Sequence, residues 1–237
     1  MQGWMAIRSH IKTNMGEITK MKKTIVAPGL LAAKASDLGP AIARVEQAGA
    51  QYLHIDVMDG HFAPNFSFGP NIVEGLRDVS KMYFDVHLII DNPERFTPMF
   101  IKAGADCITV HVEARGNIGE VRKICRESGK GFGLSVNPNT PVEDFEHLYS
   151  DCDLLLIMSI EPGYGGQKFF PASLDKIAKA KEIRERLGAS YLISVDGGVT
   201  LENAVQCVAA GADVLVAGGA VFNAKDPDAV ISEIMNM

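Results

Sequence analysis

"YLHIDVMDGHFAPNFSFGP", residues 52–70, begins as an apolar run suited to a buried strand and then carries His54, Asp56 and Asp59 at its exit. Residues two apart share one side of a strand, so His54 and Asp56 face the same way. A histidine and a carboxylate on the face of a core strand need a reason, and the surrounding chain supplies it.

From Thr24 onward one pattern repeats. Short runs rich in β-branched and aliphatic residues, "TIVAPG", "YLHIDV", "MYFDVHLII", "CITVHV", "GFGLSV", "LLLIMS", "YLISVD" and "VLVAGG", alternate with amphipathic stretches such as 37–48, 117–128 and 172–187. In those stretches the apolar residues recur at three- and four-residue spacing, which predicts helices. "AGA" at 48–50, 103–105 and 210–212 ends a helix just before a strand, with glycine suited to the C-terminal position. Eight strand–helix units over roughly 210 residues is the unit count of an α/β (β/α)8 barrel, a TIM barrel, and leaves no room for a second domain. A doubly wound open sheet is the alternative. The expected division is a tail over residues 1–20, with Met21 a possible alternative start, and a single barrel domain over 21–237.

The composition agrees. The 237 residues are 47% hydrophobic and 22% charged, enough to bury a substantial core. A net charge of -6 with no basic run argues against nucleic acid and anionic membrane surfaces as partners. Cys107, Cys125, Cys152 and Cys207 are scattered without a CxxC spacing, against a zinc ribbon, redox pair or disulfide framework, so a reducing cytoplasm is expected. The apolar runs are strand-sized and cannot span a bilayer. The first 23 residues lack the apolar core of a signal peptide.

Barrel enzymes place their chemistry where strands end. By that rule His54 and Asp56 on strand 2, His87 on strand 3 and Asp196 on strand 7 converge on one mouth. Two imidazoles and two carboxylates match the donor set of one divalent transition metal: zinc, iron, manganese or cobalt. Glycine-bearing turns follow strands 6, 7 and 8, in "EPGYGGQKF" (161–169), "DGGV" (196–199) and "AGGAVF" (217–222). Glycines there let backbone N–H groups approach an anion, and barrels commonly hold phosphate after strands 7 and 8. An acidic chain can bind a phosphate ester in this way without a lysine.

With these pieces in place, "HIDVMDGHFAPNFSFGP", "DVHLII", "ITVHVEA", "SVNPNTP", "IMSIEPGYGGQKF", "VDGGV" and "AGADVLVAGGAVF" resemble, in order and spacing, the ribulose-phosphate 3-epimerase family from about Ile25 to Phe222. The resemblance implies His54, Asp56, His87 and Asp196 as metal ligands, with Asp56 and Asp196 also the acid/base pair. It implies Met58 and Met158 beside the reacting carbons and Gly165, Gly166, Gly197, Gly198 and Gly218, with the neighbouring Gly219, at the phosphate. Epimerisation beside a ketone takes a proton from one face and returns one to the other, and one carboxylate cannot serve both faces.

The expected function is therefore a metal-dependent 3-epimerase of a sugar phosphate, interconverting D-ribulose 5-phosphate and D-xylulose 5-phosphate, in a homo-oligomer. The alternatives are a six-carbon substrate such as D-allulose 6-phosphate, a non-catalytic sugar-phosphate sensor, and a metal-free relative on the same scaffold. Three departures from the family pattern bear on substrate: Gly29 where the family usually has serine, Ile89 where it has methionine and Gly219 where it has serine. Of the remaining polar residues, His111 and Glu113 are expected to border the pocket. Asp59 and His61 are expected to cap a loop, Asp85 to hold an imidazole, Asn137 to start a turn, and 161–169 to form either a lid or a fixed phosphate turn.

Overall fold

In the computed structural model, which describes residues 24–237, each of the eight runs is a strand and all lie parallel. The expected tail, residues 1–20, lies outside the described residues. The strands are β1 (Ile25–Pro28), β2 (Tyr52–Met58), β3 (Tyr83–Ile89), β4 (Cys107–His111), β5 (Gly131–Val136), β6 (Leu154–Met158), β7 (Leu192–Asp196) and β8 (Val214–Ala217). They pair in the order β1-β8-β7-β6-β5-β4-β3-β2, so chain neighbours are neighbours in space. This order has no reversal, which excludes the doubly wound alternative. The ring closes between β1 and β2 through one bridge, Gly29 to His54, giving a single-domain (β/α)8 TIM barrel.

The helices are α1 (Leu38–Gln47), α2 (Pro70–Arg77), α3 (Pro93–Lys102), α4 (Ile118–Glu127), α5 (Ser173–Leu187), α6 (Leu201–Ala210), α7 (Gly219–Phe222) and α8 (Pro227–Met235). Their starts follow local chemistry: Asn117 accepts the Glu120 N–H, and Thr200 and Asn203 form a reciprocal capping box. The repeat breaks once, where a ten-residue 3-10 stretch, Val142–Asp151, joins β5 to β6. That segment is rich in aromatic, Asp and Ser residues of low helix propensity.

Strand alternation divides the core into two layers. Leu53, Ile55, Val57, Phe84, Val86 and Leu88 face the helices, while Ala27, Leu154, Leu156, Met158, Val214 and Val216 fill the barrel itself. The β2–β4 side of the interior is different, with His54, Asp85, His87, Thr109 and His111 all buried. The barrel therefore has an apolar wall and a polar one.

Charge at the strand starts is structural. Asp106, Asp153 and Asp213 stand immediately before β4, β6 and β8 and accept the backbone N–H of Phe84, Phe132 and Ile193 on the neighbouring strands. Each also pairs with an arginine from a packed helix: Arg77, Arg126 and Arg184 respectively. These pairs lock alternate strands at the end of the barrel away from the glycine turns. Among the described residues no helix is long and apolar enough to cross a membrane.

Candidate active site

His54 and Asp56 leave β2 on the same side, beside His87 of β3 and across from Asp196 of β7. One donor atom from each of the four lies within 4.8 Å of the others. Asp56 Oδ1 is the hub, 3.2 Å from His54 Nε2 and 3.1 Å from His87 Nδ1. His54 is held from behind: its Nδ1 lies 2.9 Å from Asp85 Oδ2, and Asp85 Oδ1 accepts a 2.6 Å bond from the Thr109 hydroxyl. Asp85 thus holds an imidazole, as expected. Gly133 makes room for this contact, because a Cβ there would collide with Thr109 Oγ1.

The donor chemistry fits a divalent cation. With Nδ1–H donated to Asp85, His54 turns its Nε2 lone pair inward, and that buried nitrogen has no hydrogen-bond partner. It sits close to Asp56 Oδ1 but off the line of a bond. Two imidazole nitrogens and two carboxylates thus face one another in a buried space, an arrangement that demands positive charge.

The two carboxyls are driven apart. Without a cation that positive charge falls to His54, whose pKa burial would lower but Asp56 and Asp85 raise well above the usual imidazole range; burial would in turn raise Asp56, but the charge on His54 holds it well below the usual carboxylate range. Burial, reinforced by the negative charge of Asp56, pushes Asp196 up to about 7. Burial also lowers His87 to about 4, so its ring is neutral at physiological pH and free to act as a donor.

Both aspartates open onto a cavity of about 650 Å³, within the usual range for small-molecule sites. Met58 and Met158, with Ile89 and Ile160, form its apolar floor. Gly165, Gly166, Gly197, Gly198, Gly218 and Gly219 line it as well, so the structure brings the two methionines and the glycine turns around one cavity. His54 and His87 are fully buried and do not reach it. The end of β7 is pinned by Ser159, whose hydroxyl donates to the carbonyls of Asp196 and Gly197 at 2.8 and 2.6 Å.

Other expectations divide. Asp59 caps its loop, accepting the N–H groups of His61, Phe62 and Asp91, and Asn137 starts its turn by accepting the Thr140 N–H. His111 and Glu113 do not border the cavity; they stand behind His87. The loop 161–169 is tied to the loop after β2 through Asn65 Nδ2 to Gly163 O and Tyr164 Oη to Pro64 O, both 2.7 Å. Lys168, not among the residues expected at the site, also lines the cavity beside the glycine turns. It lies inside the quoted "GGQKF", where a lone cation among glycines was the available signal.

The family model for the ribulose-phosphate 3 epimerase family matches residues 25–222. The chain belongs to the ribulose-phosphate 3-epimerase family. Among the family's members, ribulose-phosphate 3-epimerase of Bacillus subtilis is 47% identical over 210 residues, covering 88% of this chain and 97% of that protein. The enzyme of the same name from Synechocystis is 45% identical over 217 residues, covering 91% and 94%. These relatives are isomerases. The solved 3-hexulose-6-phosphate synthase of Salmonella typhimurium superposes with a TM-score of 0.68 over 90% of this chain and 97% of that one. At 18% identity that likeness extends the fold alone.

Proposed function

We propose that this member of the family is a metal-dependent 3-epimerase interconverting D-ribulose 5-phosphate and D-xylulose 5-phosphate. The observation that carries the reading is the convergence of Asp56 and Asp196, from β2 and β7, on one cavity with their proton affinities driven apart. One carboxylate poised to accept a proton and one poised to supply it is what two-face proton transfer requires. In one direction Asp56 takes the C3 proton and Asp196 delivers one to the opposite face; in the other the roles reverse.

His54, Asp56, His87 and Asp196 would hold the cation, one zinc, iron, manganese or cobalt per chain. When bound, it supplies Lewis-acid stabilisation of the negative charge on the substrate's oxygens, typically worth several kcal/mol. Met58, Met158, Ile89 and Ile160 keep water from the reacting carbons. The backbone N–H groups of the glycine turns receive the phosphate, with Lys168 at hand. The four free, buried cysteines suit a reducing cytoplasm. A six-carbon ketose phosphate such as D-allulose 6-phosphate is the second reading, favoured by the bare cavity wall at Gly29.

The test is turnover in heavy water of a panel of ketose phosphates. Solvent deuterium should appear at C3 of D-xylulose 5-phosphate, and Asp56→Asn and Asp196→Asn, with metal content measured in each, should abolish the exchange. Full activity in either variant while it retains its metal overturns the reading.

A further inference from the structure

His111 is fully buried behind His87, the two rings stacked with centroids 4.8 Å apart. Their Nε2 atoms are 2.9 Å apart. The other nitrogen of His111, Nδ1, lies 3.3 Å from Glu113 Oε2, and Glu113 Oε1 accepts the Asn137 N–H at 2.8 Å. Phe62 packs against the His111 ring, centroids 4.6 Å apart. A carboxylate, two imidazoles and the hub Asp56 therefore form one continuous row.

The row has a direction. A carboxylate only accepts, so His111 Nδ1 carries the proton that faces Glu113. The neutral ring then offers a lone pair at Nε2. Two nitrogens at hydrogen-bond distance share a single proton, so His87 must donate from its own Nε2. That leaves His87 Nδ1 bare and aimed at the cluster, 3.1 Å from Asp56 Oδ1. A lone pair and a carboxylate oxygen at that separation are stable with a cation between them. We infer that His111 and Glu113 are positioning residues that fix the tautomer and ring orientation of His87, so that it presents Nδ1 to the metal.

The inference rests on the metal reading given above and adds to it. Histidine ligands usually donate their second N–H directly to a carboxylate or carbonyl. Here an imidazole stands between His87 and Glu113. Neither positioning residue lines the cavity, so both act on cation affinity without touching substrate.

The experiment titrates Co²⁺ alone into metal-stripped, full-length protein against a chromophoric chelator, recording the visible spectrum of the bound ion and the melting temperature of the metal-free form. His111→Phe keeps the ring and removes the acceptor; its Co²⁺ affinity should fall about 10–100-fold, the usual effect of losing such a support, with a shifted spectrum. His111→Gln restores a carbonyl near the position of Nε2 and should recover most of that loss, which a merely structural role would not predict. Glu113→Ala should weaken binding in the same direction, and it reads the same quantity if His111→Phe fails to fold. Wild-type affinity in His111→Phe, or in Glu113→Ala where that variant stands in, overturns the inference while leaving the metal reading intact, as does a His111→Gln no better than His111→Phe. Wild-type protein that takes up no Co²⁺ overturns the metal reading itself, and this inference with it.

Discussion

Two glycines in the proposed phosphate turns have left-handed backbones but opposite surroundings, and alanine at each separates strain from crowding. Gly166 has φ +79° with no atom within 4 Å of where a Cβ would stand. Gly198 has φ +63°, and its Cβ would lie 2.5 Å from Phe169 N and 2.8 Å from Gln167 O. Left-handed backbone costs a non-glycine residue roughly 1 kcal/mol, the whole effect expected for Gly166→Ala. Gly198→Ala adds a collision with backbone that must retreat by several tenths of an ångström, and overpacking of this kind typically costs about 1–3 kcal/mol. Melting should therefore fall by about 2–4 °C in Gly166→Ala and about 4–16 °C in Gly198→Ala, taking about 2–4 °C per kcal/mol for a chain of this size. The retreating atoms belong to the 161–169 loop, so the KM for ribulose 5-phosphate should rise sharply in Gly198→Ala and little in Gly166→Ala. Thermal denaturation and steady-state kinetics on both variants decide it. Equal melting shifts, or a wild-type KM in Gly198→Ala, would refute the claim that this glycine is set by the loop packed upon it.

Four further outcomes are expected. Asp213→Ala strips the partner from the Ile193 N–H and the largely buried Arg184, a loss of about 3–5 kcal/mol for a buried pair. Asp228→Ala, whose partner Arg44 is exposed, should change stability by under about 0.5 kcal/mol; urea melts of the two variants compare them directly. Asp85→Asn weakens the hold on His54 and should lower Co²⁺ affinity by about 10–100-fold, read by chelator competition. Gly29→Ser places a Cβ 3.2 Å from Val216 Cγ1, a side chain that can give. The added hydroxyl should raise kcat/KM for ribulose 5-phosphate by about tenfold to a hundredfold, the worth of about 1–3 kcal/mol for a buried polar group regaining a partner. An unchanged ratio of ribulose 5-phosphate to allulose 6-phosphate would show that Gly29 does not set substrate choice.

The fold was legible because strand and helix periods differ and the chain keeps each cleanly. "GFGLSV" became β5 residue for residue, and 117–128 and 172–187 became α4 and α5 within a residue at each end. The fifth connection was less legible, since Val142–Asp151 carries the apolar spacing of a helix with residues that form one poorly. The reacting cluster could be read because Asp196 ends β7 and His54, Asp56 and His87 take inward-facing alternate positions on β2 and β3. Its support could not be read so directly. His111 also ends a strand, and the same rule put it at the pocket. What sends it behind His87 is the stagger between β3 and β4, where His87 pairs with Thr109 and not with His111, a tertiary quantity that no local spacing carries.

That stagger also explains why polar residues can occupy a barrel core at all. His54 pairs with Asp85 and Asp56 with His87 across β2 and β3, so β2 supplies two residues to the cluster while β3 supplies one to the cluster and one to its support. Thr109 and His111 extend the pattern onto β4, reaching Asp85 and His87 respectively. The buried donors of His54, His87 and Thr109 on this wall meet acceptors from a neighbouring strand, and what is turned to the hub is lone pairs. A slip of β2 by one residue against β3 would turn His54 and Asp56 outward and bring that strand's outer apolar residues in. The hydrophobic pattern that holds the register therefore also holds the geometry of the cluster. This is why the Arg–Asp pairs at the strand starts, though far from the cavity, bear on it: they help fix the pairing of β3 with β4, β5 with β6 and β7 with β8, and Asp196 stands at the end of the last of these ladders.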